Sequence, residues 1–533
     1  MATATELSID ESASALEMAQ AIFGTGVTII TASVPGGSAP DYDGDNRSSG
    51  IFTGGNTTSP GVTPGDSGVI LSTGRVRDFT NSNGSSNTNV RGNTSTNTSG
   101  DNNDPLFNAA AGSNTFDAAY LDVDFIPTGS VMTMQFVFAS EEFPEFQNSV
   151  YQDFVGVWVN GAQVDLTLGN GDVDPGNVNN NSNANLYNDN TSDQFNTEMD
   201  GFTVTMTLKM NVVPNQINSI RIGIADVSDN SYDSNLLIAG NSIQTDIIAQ
   251  DDSTNLFPTG TRTLDVLAND IDNGNTLTIT EINGQPVSVG DTVTLSSGQT
   301  VSLNADGTLE IVGDGDTEDF AFTYKADSGT NSDIAFVNVS SIPCFVAGTL
   351  ILTPDGEVPV EALTPGALVV THDNGNQPVR WIGQRTVASE DNFAPIHIRA
   401  NTFGTHKDLL VSPQHRILIR DSLAELLFGD AEVLVAAKDL VNDYSVRPRT
   451  GGTVTYVHIL FDEHQVVFSE GLPTESFLPG PQTTKSFERD IVEEICALFP
   501  EIDPETGSGY SAAARRTLRQ FEAQVLLSTQ KAA

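Results

Sequence analysis

Cysteine is rare in this 533-residue chain, and one of its two copies, Cys344 in "SIPCFVAGTLILTPDG", stands between a proline and a strand-like apolar run. A thiol can do acyl chemistry there only as its thiolate, with a base or proton donor beside it. Downstream, "LLVSPQHRILI" offers Ser412 and His415 three residues apart across a Pro-containing turn, and "TYVHILFDEHQVVFSEG" offers His458, Asp462 and His464. A hydroxyl and an imidazole together can polarise a carbonyl and protonate a leaving amide nitrogen. The plainer reading makes Cys344 a small buried hydrophobe and the histidines satisfied residues of half-buried hairpins. Cys496, on a helical face beside Ile495 and Leu498, reads as core, and nothing positive supports a Cys344–Cys496 disulfide.

Residues 344–480 are strand-rich and hold all six histidines, so chemistry is expected there. Four separated runs in this region, "CFVAGTLILTPDGEVPVEALTPGALVVT", "PVRWIG", "LLVSPQHRIL" and "YVHILFDEHQVVFSEG", closely resemble the bacterial Hint domain, the fold shared by hedgehog autoprocessing domains and inteins. The resemblance implies an all-β domain over 341–484 in which Cys344 attacks the preceding carbonyl. The Pro343–Cys344 amide would become a thioester, with Ser412 and His415 assisting and His458 and His464 as further candidates. The chain is then its own substrate, and this chemistry needs no cofactor. Ser412 stands where the family usually has threonine, which also offers a hydroxyl. No His-Asn ending closes the region, so splicing is not expected. The acceptor-activating aspartate of hedgehog-type domains has no motif here, which leaves Asp373 and Asp391 as guesses.

The elements before this region are mainly β. Ala15, Leu16, Ala19, Ile22 and Phe23 have helical spacing, and then "SGVILSTG", "AYLDVDFIP", "VMTMQFVFAS" and "DFVGVWVNG" read as short strands of a sandwich or jelly roll. The Asn-, Ser- and Thr-rich tracts at about 80–114 and 176–197 read as mobile surface loops. "SGVILSTG", "VFASEEFPEFQNSVYQDFVGVWVNG" and "IGIADVSDNSYDSNLLI" resemble the choice-of-anchor L domain of secreted and surface bacterial proteins. That implies a jelly-roll-like binding module over 1–248 for an unknown surface or matrix ligand. Its carboxylates, Glu141, Glu142, Glu145 and Asp153 in one motif and Asp226, Asp229 and Asp233 in another, are candidate calcium ligands, with solvated acidic loops as the alternative. Residues 249–340, with about seven short strands and the run "LDVLANDID", look like an immunoglobulin- or cadherin-like spacer, where Asp270 and Asp272 fit either calcium or turn chemistry. Helical spacing resumes over 485–533, at Ile491, Ile495 and Leu498 and again at Leu518, Phe521 and Val525. These short helices are expected to dock on the protein's own core.

Charge narrows the function classes. Residues 1–343 carry 8 basic and 44 acidic groups, a net −36, against −10 for 344–533. Phosphate backbones and anionic lipid would be repelled, so no nucleic-acid partner is expected. No apolar run reaches the roughly 18–20 residues of a membrane span. The acidic start lacks the basic n-region of a cleavable signal peptide, so an extracellular or cell-surface bacterial protein would leave by another route. The two function readings are a self-cleaving secreted protein and a non-catalytic adhesin with an inactive Hint module. The first leads, and the hindered prolyl carbonyl of residue 343 gives the second some weight.

Overall fold

The computed structural model describes residues 5–33, 48–80, 94–98, 100–147, 149–169, 171–256, 260–314, 319–340, 344–389, 394–442, 444–478, 511, 513–518, 523 and 526. The chain forms two compact units, one of residues 1–252, 263–310 and 320–338, the other of 253–262, 311–319 and 339–533. Strands dominate throughout, as the alternating and apolar runs imply.

In the first unit, Val131–Ser140 is a central strand of one antiparallel sheet, flanked by Ser234–Ala239 on one side and by Gly201–Thr203 and Met206–Asn211 on the other. A second sheet runs Val27–Ser33, Thr115–Pro127, Asn218–Val227, Phe154–Val159 and Ala162–Gln163. Met134, Phe136 and Phe138 pack in one core with Leu121, Phe125 and Ile222, while Val137 and Ala139 point into another with Phe52, Phe79 and Leu237. Burial on both faces explains why the second half of this strand, Phe136 to Ala139, is continuously apolar, while in the first half the buried Thr133 and Gln135 alternate with Met132 and Met134. The helix Ala15–Ile22 begins at a capping box, Ser14 with Glu17, and buries Met18, Ala19 and Ile22.

The Asn-rich tract at 176–197 is not a solvated loop. Asn177, Asn179, Asn185, Asn190 and Asn196 are all buried. Asn190 donates through Nδ2 to Thr197 O (3.1 Å) and Met199 O (2.8 Å), and accepts from Phe195 N–H at 2.9 Å. An amide carries donors and an acceptor, so it satisfies backbone groups that water would otherwise have to reach. The tract at 80–114 likewise contributes buried Thr98 and a helix, Pro105–Ala111, capped by Asp104; residues 81–93 lie outside the described part. Nine strands fall between Asp252 and Ser340 among the described residues. Asp270 accepts from Tyr324 OH at 2.9 Å and from Gln250 N–H at 2.7 Å, and Asp272 accepts from Gly274 N–H at 2.9 Å within a turn.

In the second unit, one sheet runs Trp381–Ala388, Thr453–Leu460, Phe345–Val346, Leu409–Val411, Ile396–Ile398 and Val446–Pro448. The other runs Gly356–Pro359, Leu350–Thr353, Val466–Ser469, Leu472–Glu475, Arg416–Arg420, Glu432–Ala436 and Arg516–Thr517, the last added parallel. Phe345, Ile351, Val457 and Val467 share one core; Ile396, Val411, Ile417, Val433 and Leu518 share another. The helical reading of the C-terminal extension does not hold over 516–517. Arg516 and Thr517 are strand, and only Ala523 and Leu526, both buried, are helical among the described residues. Residues 485–510, with Cys496, and Phe521 and Val525 lie outside that set.

Candidate active site

The two-residue strand Phe345–Val346 is inserted between Thr453–Leu460 and Leu409–Val411, with Phe345 paired to Val457 and to Val411. That register places Cys344, one residue before Phe345, opposite the positions that carry His458 and Ser412. Cys344 is buried, at 7 % exposure, and is not part of a disulfide. Its Sγ lies 3.3 Å from His458 Nε2. Its backbone N–H donates to Ser412 Oγ at 2.8 Å, and Ser412 N–H donates back to Cys344 O at 3.0 Å.

Each partner is fixed by its own surroundings. The His458 ring meets Phe477 edge-on at 5.5 Å. Its cross-strand neighbour is Gly383, where a Cβ would stand 2.2 Å from the Trp381 ring, so only glycine lets that indole lie across the strand. Tyr456, two residues before His458, joins Cys344, Val346 and Val454 in an apolar cluster. Burial first, and then the nearby Cys344, push the Tyr456 phenol well up, which keeps it a neutral hydroxyl.

His415 is 1 % exposed, its ring 4.3 Å from that of Phe345, and neither ring nitrogen has a hydrogen-bond partner. Burial lowers its pKa to about 4, against the opposing pull of Glu475. A neutral, desolvated imidazole is thus held one turn from the Ser412 that grips Cys344, since His415 N–H donates to Ser412 O at 3.1 Å. An orphaned polar group in such a place carries a cost that folding alone does not repay.

His464 has other neighbours. Its Nδ1 accepts from Ala514 N–H at 2.9 Å and its Nε2 lies 3.1 Å from Ser476 O. Asp462 pairs with Arg380, and Asp373 with His372 and Arg515; Asp391 lies outside the described residues. Glu475 is a site residue that sequence reasoning missed: it is wholly buried and accepts from both Arg416 N–H (2.9 Å) and Arg416 Nη1 (3.1 Å). A lone carboxylate inside the apolar "GLPTESF" is the signal that could have found it.

The acidic candidates of the front sandwich separate by depth. Glu145 is exposed and Asp229 half-buried, while Glu141, Glu142, Asp153, Asp226 and Asp233 are buried. Asp153 Oδ2 lies 2.8 Å from Ser234 Oγ, its Oδ1 accepts from Val227 N–H at 3.2 Å, and its N–H donates to Glu142 at 3.0 Å. Burial lifts both Asp153 and Asp226 well above the usual carboxylate range, with the nearby charge of Glu142 adding to the first and that of Asp233 to the second. Ser140 pairs with Gly201 on one side and Ser234 on the other. The next residues along, Asp200, Glu141 and Asp233, therefore form a row across three strands. Neither oxygen of Glu141 makes a hydrogen bond, nor does Asp233 Oδ2. Burial first, then Asp200, raises Glu141 to about 9, with the donors of Thr94, outside hydrogen-bond geometry, pulling the other way. Burial puts Glu142 at about 8 and Asp233 at about 7. Among the described residues no three such groups converge closely enough to ligate one ion.

Comparison with known proteins adds two domain matches. The Hint domain profile matches residues 343–481, and that of the choice-of-anchor L domain matches residues 7–244. Among solved structures, the chain is similar to the MchDnaB-1 intein (12% identity, 25% of this chain and 98% of that one, TM-score 0.18). It is also similar to the gp41-1 intein (11%, 25% and 97%, 0.16) and to the I9–I11 tandem of titin (11%, 42% and 60%, 0.11). No curated protein matches.

Proposed function

We propose that this chain, which joins a choice-of-anchor L domain to a Hint domain, cleaves itself once between Pro343 and Cys344 through a cysteine thioester. The observation that carries this is the placement of one thiol against one imidazole, with the amide nitrogen of the same cysteine held by a hydroxyl.

His458 Nε2 takes the Sγ proton, and the thiolate attacks the carbonyl carbon of residue 343. The carbon–nitrogen bond then breaks, and the proton first lost from sulfur is returned to the departing Cys344 nitrogen. Ser412 Oγ, already on that nitrogen, is the nearest group to relay it. His415, neutral and unpartnered, supplies an N–H to the oxyanion while negative charge is present. Attack of water or an external amine on the thioester releases the front part and regenerates the thiol. The N-terminal domain gives the released part its destination, the outside of a bacterial cell.

The test is direct. Purified protein with dithiothreitol or hydroxylamine near neutral pH should yield an acidic fragment ending at Pro343 and a smaller one beginning at Cys344, both identified by mass. Cys344→Ala should stay intact. If wild type remains a 56.5 kDa chain under the same treatment, the domain is an inert β module and the protein an adhesin.

A further inference from the structure

We infer that Ser511 with residues 513–518, beyond the residues matched to the Hint domain, is a positioning element for this cleavage, setting the His464 tautomer and through it the turn that carries Ser412 and His415. The inference rests on the self-cleavage reading.

The segment is anchored at several points. Arg516 and Thr517 pair with Val433 and Leu434, and Leu518 is buried at 3 % exposure. Arg515 Nη2 reaches Asp373 Oδ1 at 2.7 Å and its Nε reaches Glu432 Oε2 at 3.0 Å. From this platform the segment holds His464 twice: Ser511 Oγ accepts the His464 N–H at 2.7 Å, and Ala514 N–H donates to its Nδ1 at 2.9 Å.

A ring nitrogen that accepts a backbone N–H cannot carry a proton, so the His464 proton sits on Nε2. There it donates to Ser476 O at 3.1 Å, with Glu475 Oε2 3.6 Å away. Glu475 is thereby left to accept from the Arg416 backbone and guanidinium, and Arg416 is the residue after His415. The relay runs from Ala514 to His464, to Glu475 and Ser476, to Arg416 and so to the turn. Without Ala514 N–H the imidazole could flip or gain a second proton, and Glu475 would be drawn from Arg416 to His464.

The experiment compares full-length wild type with Ala514→Pro, which lacks the donating N–H. Hydroxylamine-triggered cleavage should slow about tenfold, as small misplacements of catalytic groups do, while alkylation of Cys344 stays unchanged and the chain still melts in a cooperative transition. Imidazole ¹⁵N spectra should show His464 losing its fixed Nε2–H form. Should Ala514→Pro fail to fold, a chain ending at residue 510 replaces it. A synthetic 511–533 peptide should restore cleavage in that chain, and the same peptide carrying the proline should not. Wild type that cleaves, with Ala514→Pro equally fast or with its His464 tautomer unchanged, overturns the inference alone. Wild type that does not cleave overturns the self-cleavage reading and this inference with it.

Discussion

Ser412 holds the main chain of Cys344 from both sides, its Oγ accepting the Cys344 N–H at 2.8 Å while its own N–H donates to Cys344 O at 3.0 Å. A strand of two residues, Phe345–Val346, is too short to fix a nucleophile by ladder hydrogen bonds alone. The clamp does so, and it keeps the scissile nitrogen within reach of a hydroxyl.

Ser412→Ala should therefore cost stability as well as rate. It leaves a buried N–H without an acceptor, a penalty of about 1–3 kcal/mol, and removes the proton relay. Ser412→Thr keeps the hydroxyl and should retain most of the cleavage. Urea denaturation beside a cleavage time course checks both, and equal cleavage by wild type and alanine variant would remove Ser412 from the mechanism.

His458 is the group placed to take the thiol proton, because its Nε2 stands 3.3 Å from Sγ. His458→Ala should slow thiol-triggered cleavage by about 10²–10⁴-fold, the usual worth of general acid–base assistance. His464→Ala, which leaves the Cys344–His458 pair untouched, should slow it less. The opposite ranking in single-turnover assays would transfer the base role to the wrong histidine.

Much of this site is legible in the sequence, and the unread part has physical reasons. Cys344, Ser412 and His415 stand out because their types and order match a motif, whereas His458 and His464 share one run and only the fold separates them, His458 lying against the Cys344 thiol and His464 against Ala514. Glu475 follows no spacing rule; only the fold reveals that it receives Arg416. "AAARRTLRQ" is rich in helix formers, yet edge pairing with Glu432–Ala436 makes Arg516–Thr517 a strand, so tertiary context overrides propensity. The Asn-rich tract reads as solvated because polarity was equated with exposure, whereas Asn190 and Asn196 spend their amides on buried backbone.

Acid should weaken the second unit through His415. Its folded pKa of about 4 lies below the 6.5 of an exposed imidazole, so between those values the unfolded chain binds a proton that the folded one does not. Stability is complete above about pH 6.5 and falls as pH drops toward 4. His415→Phe removes the titrating group and should flatten this acid limb in thermal melts from pH 4 to 7. An acid limb unchanged by the substitution would show that His415 is not buried neutral.

The front sandwich should show the opposite limb. Glu141, Glu142 and Asp233 have folded pKa values raised to about 9, 8 and 7, so their contribution is complete below the ordinary carboxylate range and is lost as pH rises through those values. In chelator, the melting transition of the first unit should therefore fall steadily from about pH 5 to pH 9. Glu141→Gln, neutral at every pH, should blunt that fall, because its two oxygens are the ones left without hydrogen bonds. The calcium expectation is decided in the same titration. An alkaline limb that rises in millimolar calcium assigns these oxygens to the cation, which replaces the protons. Superimposable limbs with and without calcium assign them to protons alone, and a melt insensitive to pH in both would mean that the carboxylates are solvated.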